Sequence, residues 1–151
     1  MILARTLVTI AIVISLTGCF GPQDRRPGMR LPGEVVATPS DWSFTNDYPE
    51  IAIEVRTPYF LPHSITIVCG SFDGNLYLGA RDPETKNWPG WVDDDPNVRL
   101  GIGEQVYEVM LVPITDSALI ARIRAGGSYK SSPSLVSDDL VIRFWQVQPR
   151  A

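Results

Sequence analysis

The stretch SITIVCGSFDGNLYL, residues 64–78, contains two strand-like runs separated by an Asp-Gly dipeptide. The first run, Ser64–Cys69, is rich in β-branched residues, which favour the extended backbone of a strand. Asp73-Gly74 lies just before the second run, and glycine tolerates the positive φ angle that a tight hairpin turn requires. The stretch therefore predicts a β-hairpin.

Strand patterns continue on both sides of this hairpin. Upstream, apolar residues alternate with more polar ones, which predicts a half-buried strand whose inward side chains are Ile51, Ile53 and Val55. Downstream, a Gly103-Glu104 turn separates two further strand-like runs and predicts a second hairpin. The predicted downstream strands cover residues 98–102, 105–112 and 140–147.

Short helices are predicted between these strands. Asp82 followed by Pro83 favours a helical start, with the carboxylate as cap and proline at the first helical position. A second piece is expected after Trp88 and should stop before Pro96, which cannot continue a helix undisturbed. A third is expected after a capping Asp116 and should share one apolar face formed by Leu119, Ile120 and Ile123.

Adjacent hairpins without a strand–helix–strand rhythm indicate an antiparallel arrangement. We therefore predict a mainly β fold, an antiparallel barrel-like sheet with short helices, in a single domain over residues 42–151. Residues 19–41 are rich in proline and glycine and lack periodicity, which predicts a flexible tether. A formal charge of −4 without a clustered basic face argues against a nucleic-acid partner.

The first residues predict export from the cytoplasm. One positive charge, Arg5, precedes an apolar run over residues 6–16, and small residues follow it. This is the pattern of a secretory signal peptide, here residues 1–18. The run is about half of the ~20 residues that a bilayer-spanning helix needs.

Leu16-Thr17-Gly18-Cys19 resembles a bacterial lipobox. The resemblance implies that Cys19 becomes the acylated N-terminus of a lipoprotein, and several acyl chains give stable membrane anchoring. By the same resemblance, the absence of Asp at Phe20 implies the outer membrane, with the domain on its periplasmic side. Only Cys69 then remains as a thiol, so no intramolecular disulfide is expected.

Three motifs occur in a familiar order: Leu76–Gly79, Lys86–Trp88 and Asp95–Leu100. Together they resemble the split β-barrel superfamily of pyridoxamine 5′-phosphate oxidase-like and deazaflavin-dependent oxidoreductases, roughly from Trp42 to Ile123. The resemblance implies a split β-barrel. It also implies binding of FMN or a deazaflavin, often at the interface of a homodimer.

The resemblance also implies roles for individual residues of this chain. It assigns Arg81 and Lys86 to the cofactor phosphate, and Ser64 and Thr66 to the strand beside the ring. Trp88 belongs to the same candidate site. These residue types suit the role, because basic side chains and hydroxyls can donate hydrogen bonds to phosphate oxygens.

A second interpretation of residues 86–91 is a connector. Trp88 and Trp91 are three residues apart and share a helix face, so they can plug the barrel end instead of flanking a ring. Trp91 also stands where the deazaflavin-type pattern has Asn. Two functions therefore stay open: a cofactor-free binding or interaction module, and an FMN- or deazaflavin-binding oxidoreductase.

No catalytic or metal-binding residue is predicted. His63 is the one histidine of the chain and has no nucleophile placed beside it by a motif. The acidic run of residues 93–95 lacks the spaced carboxylates and turn glycine of a calcium loop.

Overall fold

The computed structural model describes residues 21–23, 26–48, 50–126 and 140–150. The predicted signal peptide and Cys19 lie outside these ranges. Strands in the described part are β1 (Glu34–Val36), β2 (Glu50–Arg56), β3 (Pro62–Phe72), β4 (Asn75–Arg81), β5 (Asn97–Ile102), β6 (Gln105–Pro113) and β7 (Ile142–Pro149). The α-helices there are α1 (Trp88–Asp94) and α2 (Ser117–Ala125), and short 3₁₀ helices cover Ser43–Asp47 and Pro83–Thr85.

Six of these strands close into an antiparallel barrel. Their order is β6-β5-β2-β3-β4-β7, and β7 pairs again with β6. The long strand β6 makes this possible, because its first half pairs in parallel with β1 and its second half pairs with β7. The predicted mainly β, antiparallel split barrel is confirmed.

Both predicted hairpin turns are present. Asp73 and Gly74 adopt φ angles of 49° and 73°, and they join β3 to β4 as the only two residues between Phe72 and Asn75. Gly103, with φ of 60°, lies in the turn that joins β5 to β6. Positive φ at these positions is the geometry that matches the twist of paired strands.

The barrel interior is an apolar core. Ile51, Ile53 and Val55 are buried there, as the alternating pattern predicts. Trp145 of β7 is fully buried at the centre and lies 5.1 Å from the ring of Trp88 on α1. Helix α1 therefore contributes its apolar side to the interior of the barrel.

A second apolar cluster lies outside the barrel wall. Tyr77 and Phe144 of neighbouring strands β4 and β7 pack there with buried Ile123 of α2, as do Leu119 and Ile120. The carboxylate of Asp116 accepts a hydrogen bond from the backbone N–H of Ala118 at 2.8 Å. The predicted cap and apolar face of this helix are confirmed. Neither α-helix of the described residues is long or apolar enough to cross a bilayer.

The predicted short helical piece after Asp82 is present, with Pro83 at its first position, but the predicted side-chain cap is wrong. Asp82 adopts a left-handed conformation with φ of 47° and makes no side-chain cap. Its carboxylate instead accepts a hydrogen bond from Nε of Arg81 at 3.2 Å. The next three residues form only a 3₁₀ helix, because the cap that would favour a longer helix is engaged elsewhere.

Part of the segment predicted as a tether lies on the barrel. Gly28 exchanges two backbone hydrogen bonds with Ser64 of β3, at 2.8 and 3.0 Å. The backbone N–H of Leu31 donates to Glu54 Oε2 at 2.7 Å, and the Leu31 side chain is buried. The segment then reaches Gly33 beside Glu104 and continues as β1. We call residues 28–33 the strap, since they cross the outer face of the barrel from β3 to β6.

Candidate functional site

One end of the barrel carries a cavity lined by charged residues. In the antiparallel pair of β2 and β5, Glu54 lies opposite Arg99 and Ala52 opposite Gly101. Arg56 at the end of β2 therefore lies near the start of β5, whereas the Gly103-Glu104 turn lies at the opposite end. We call the Arg56 end the loop end, because the loop of residues 57–61 joins β2 to β3 there.

The cavity at the loop end has a volume of about 450 Å³ and is lined by arginines from four segments. We call it the arginine cleft; its cationic residues are Arg30, Arg56, Arg99 and Arg150. A smaller cavity of about 220 Å³ adjoins it, shares Arg56, Phe60 and Asp95 with it, and extends to Trp91.

Two of the four arginines are held by the protein itself. Arg99 is buried, and its Nη1 lies 2.7 Å from Glu54 Oε2. Arg150 donates hydrogen bonds to the backbone carbonyls of Val98 at 2.8 Å and Val109 at 3.3 Å. Arg150 is exposed and also pairs with Glu108 at 3.5 Å, so both guanidinium groups are held by neighbouring groups of the protein.

The other two arginines are more open to solvent. The side chain of Arg56 is 62% exposed, and its nearest acid is Asp95 at 3.8 Å. Its guanidinium also lies 5.5 Å from the centroid of the Phe60 ring. Arg30 on the strap is exposed and has no ion pair among the described residues. These two groups can turn toward a ligand without breaking a close ion pair.

The loop beside the cleft is held in a closed turn. Thr57 is buried, and its Oγ1 donates to the carbonyl of Leu61 at 2.8 Å. Phe60 donates its backbone N–H to the carbonyl of Thr57 at 2.9 Å and adopts φ of 63°. A bulky residue in this left-handed region is strained, and such strain is concentrated at binding and active sites.

This arrangement suits an anionic ligand. A guanidinium binds carboxylate or phosphate through two parallel hydrogen bonds, and an aromatic ring beside it adds apolar contact. Arg30 and Arg56 supply such donors among the residues that line the cleft. The cleft lacks a nucleophile with an adjacent base among its described lining residues.

The cofactor residues implied by the resemblance lie in three separate places. Ser64 and Thr66 are on the outer face of the barrel, where Ser64 is buried beneath the strap and Thr66 is exposed. The buried hydroxyl of Ser64 has no hydrogen-bond partner in the described part of the chain. Strap residue Gly28 bonds to the backbone of Ser64 and not to this hydroxyl.

Arg81 and Lys86 lie together at the end of β4. The amine of Lys86 donates to the backbone carbonyls of Arg81 and Asp82, and Arg81 itself pairs with the Asp82 carboxylate. Trp88 is instead buried inside the barrel. The structure therefore joins Arg81 with Lys86 and Ser64 with Thr66, and it does not bring the two pairs and Trp88 together.

His63, Cys69 and Asp93 each pack against or bond to neighbouring residues of the protein. His63 packs edge-on to Trp91 at 5.3 Å, and partial burial lowers the pKa of its imidazole. Burial raises the pKa of the Cys69 thiol to about 12, and this thiol donates to the carbonyl of Tyr48. A hydrogen bond from Arg143 lowers the pKa of Asp93. No three His, Cys, Asp or Glu side chains of the described ranges are grouped as metal ligands.

The arginine cleft is not predicted by any pattern in the sequence. Its arginines come from the strap, β2, β5 and the residue after β7, so no local motif contains them. One signal was present: Tyr59, Phe60 and Leu61 form an apolar run between two prolines. Loops are ordinarily polar, so an apolar loop indicates a contact surface.

No protein-family model matches the chain, and no curated protein matches it. Among solved structures, a NimC/NimA family protein from Clostridium acetobutylicum is similar at 13% identity and a TM-score of 0.49, over 66% of this chain and 73% of that chain. Another, described as a domain-swapped dimer, is similar at 14% identity and a TM-score of 0.48, over 67% and 81%. The barrel is defined by the pairing of its own strands.

Proposed function

We propose that the chain is an outer-membrane-anchored periplasmic lipoprotein whose split barrel is a cofactor-free binding module for an anionic ligand. The observation that carries the binding role is the arginine cleft. Arg30 and Arg56 are exposed at its mouth, and Arg56 has only a distant acidic partner. The anchoring role is supported by the lipobox-like residues that end at Cys19.

Inorganic phosphate is a suitable first probe of the cleft. A ligand that binds only the folded protein raises the unfolding temperature, and the rise grows with the logarithm of the ligand concentration relative to its Kd. We expect phosphate to raise the unfolding temperature more than chloride at equal ionic strength. Arg30→Gln and Arg56→Gln should each remove at least about half of this increase, because a charge-assisted hydrogen bond is lost.

Arg122 provides a matched control for Arg56. Its side chain is 61% exposed, pairs with Asp73 at 3.1 Å and lies over the Phe72 ring, but it is at the opposite end of the barrel. Arg122→Gln should leave the phosphate effect unchanged. Equal loss of the effect in Arg122→Gln and Arg56→Gln would show general charge screening and would contradict a specific site.

Flavin binding is the alternative function, and it is tested on the same proteins. We expect neither FMN nor a deazaflavin to bind the wild-type protein tightly, because Lys86 and Ser64 do not share a cleft. Micromolar binding that is abolished by Lys86→Ala would establish the oxidoreductase alternative instead.

Sedimentation velocity on the same samples would test the homodimer that the resemblance implies.

Anchoring has its own test. Mass spectrometry of the mature protein from a bacterial host should find an acylated N-terminal Cys19. Cys19→Ser should prevent acylation and leave the protein outside the lipoprotein route. An unmodified N-terminus at or beyond Phe20 in the wild-type protein would contradict the anchor, without bearing on the cleft.

A further inference from the structure

The strap supplies one of the cationic side chains of the arginine cleft. Arg30 lines the cleft, is exposed and has no ion pair among the described residues. Its guanidinium is therefore placed by the backbone of the strap and not by a neighbouring acid. The other three arginines belong to strands of the barrel or to the residue that follows β7. The cleft is thus complete only while the strap lies on the barrel.

The strap is attached to the barrel at few points. Gly28 exchanges two backbone hydrogen bonds with Ser64, and the backbone N–H of Leu31 bonds to Glu54. Leu31 is the one side chain of the strap that is buried, and both of its neighbours are exposed. Strand β4, by contrast, is paired with β3 on one side and with β7 on the other. A segment with few buried contacts opens at a lower free energy than such a core strand.

The Leu31 side chain occupies a notch between two small residues. Ala52 of β2 and Gly101 of β5 are directly paired on the outer face of the barrel. A Cβ added to Gly101 would lie 3.3 Å from Leu31 Cδ1 and 3.4 Å from Ala52 Cβ. The absence of a side chain at Gly101 therefore makes room for the strap. Neither notch residue lines the cleft, so docking of the strap can be changed without changing the cleft itself.

A buried hydroxyl opposes docking of the strap. Ser64 is fully buried where Gly28 pairs with β3, and its Oγ has no hydrogen-bond partner in the described part of the chain. Burial of an unpaired hydroxyl is unfavourable, and water can satisfy the group once the strap leaves. The contacts of Leu31 favour the docked state while Ser64 disfavours it, which suits a segment that opens and closes.

We propose that the strap is a movable segment whose docking completes the arginine cleft and whose release weakens ligand binding. This inference rests on the binding of an anionic ligand proposed above and adds its regulation. A ligand that contacts Arg30 binds the docked state more tightly, so by linkage it also holds the strap in place. Because Gly21 lies against Leu31 and Pro32, release also frees the chain that precedes the strap.

Hydrogen exchange of the mature protein measures docking directly. The amide of Gly28 donates to Ser64, and we expect it to be at least about tenfold less protected than the amides of β4, because the strap opens without unfolding the barrel. Phosphate should slow its exchange several-fold relative to chloride at equal ionic strength. The amide of Ile120 bonds to Asp116 in α2, away from the cleft, so its exchange by local opening should be unchanged.

Gly101→Leu and Leu31→Ser each prevent docking, from the barrel side and from the strap side. The first fills the notch and the second removes the buried side chain. Each should expose the Gly28 amide and remove at least about half of the rise in unfolding temperature that phosphate produces, as Arg30→Gln does. Met29→Ser is the matched control. It removes an exposed apolar side chain of the same strap, so both measurements should stay as in the wild type.

Double variants test the mechanism. Arg30→Gln combined with Leu31→Ser should lose no more of the phosphate effect than either change alone, because both remove the same guanidinium from the cleft. Arg56→Gln changes a different guanidinium, on β2. Its loss should therefore add to that of Leu31→Ser.

The outcomes separate this inference from the binding function. A Gly28 amide as protected as those of β4 would show a fixed strap and overturn the inference. A full phosphate effect in Leu31→Ser, with the Gly28 amide unprotected, would also overturn it and would leave the cleft as a binding site. Additive losses for Arg30→Gln and Leu31→Ser would do the same. Absence of any phosphate effect in the wild type would contradict the binding function and this inference with it. If the β4 amides of Gly101→Leu are unprotected, that variant is unfolded and Leu31→Ser decides.

Discussion

Arg99 Nη1 lies 2.7 Å from Glu54 Oε2, and the two side chains are only 10% and 11% exposed. The same carboxylate oxygen accepts the backbone N–H of Leu31 at 2.7 Å. One buried ion pair on the outer wall of the barrel therefore also holds the strap. We expect Glu54→Ala to lower the free energy of unfolding by roughly 3–5 kcal/mol, because it leaves a buried guanidinium without its partner.

Chemical denaturation would measure this cost, and Glu108 supplies the control. Glu108 lies 3.8 Å from Arg99 Nε, but its side chain is 44% exposed. Glu108→Ala should cost less than about 1 kcal/mol, as exposed ion pairs do. Similar losses for the two variants would mean that the Glu54 pair is not a desolvated contact.

Replacement by alanine should have opposite effects on stability at Gly33 of the strap and at Gly90 of α1. At Gly33, where φ is 133°, an added Cβ would lie 2.7 Å from the backbone carbonyl oxygen of Glu104. Gly33→Ala should therefore destabilise the protein by more than about 1 kcal/mol, because neither the φ angle nor the space suits alanine. Gly90 of α1 has no atom within 4 Å of an added Cβ, so Gly90→Ala should stabilise by about 0.4–1 kcal/mol. Thermal melts of both variants would check the difference in sign.

The barrel could be predicted because the sequence signals for its strands and turns each involve residues that are close together in the chain. The Asp73-Gly74 turn, the alternation from Ile51 to Val55 and the cap at Asp116 each depend on neighbours within a few residues. Hairpins then restrict the pairing of successive strands, so the antiparallel architecture follows.

The strap and the cleft depend on contacts between distant residues. Residues 28–33 have no strand pattern, and only the buried Glu54 carboxylate explains why Leu31 is fixed on the barrel. Arg30 and Arg150 line one cavity although they lie near opposite ends of the described residues. Their spacing along the chain carries no signal, because the closure of the barrel brings them together.

The stretch containing Lys86 and Trp88 yields a paired prediction. Trp88 is buried against Trp145, so Trp88→Ala should lower the free energy of unfolding by about 3–5 kcal/mol, as a large core truncation does. Lys86 is exposed and bonds only to backbone carbonyls at the end of β4 among the described residues, so Lys86→Ala should cost less than about 0.5 kcal/mol. Urea denaturation of both variants would check this difference. If the stretch is a connector, only Trp88→Ala should destabilise the fold. If it is a ligand-binding segment, neither variant should.

Asp93 and Arg143 connect α1 to β7 and predict a pH dependence. Arg143 Nη1 donates to Asp93 Oδ2 at 2.8 Å, and its guanidinium lies 4.8 Å from the centroid of the Trp145 ring. The hydrogen bond from Arg143 lowers the pKa of the Asp93 carboxyl below its ordinary value of 3.8. The ion pair therefore stabilises the fold fully above pH ~5, and this contribution is lost as the pH falls below ~4 through the lowered pKa.

Asp93→Asn removes this contribution at neutral pH. Because the pair is half exposed, with side-chain exposures of 33% and 48%, we expect a cost of about 0.5–1 kcal/mol at pH 7. The difference from wild type should shrink as the pH falls below ~4, since the unfolded chain then takes up a proton that folded Asp93 resists because its pKa is lowered. Asp94→Asn removes an exposed carboxylate of the same helix that has no ion pair in the described part of the chain, so it should show no such convergence. A difference between wild type and Asp93→Asn that stays constant from pH 7 to pH 3 would mean that the charge of Asp93 does not stabilise the junction of α1 with β7.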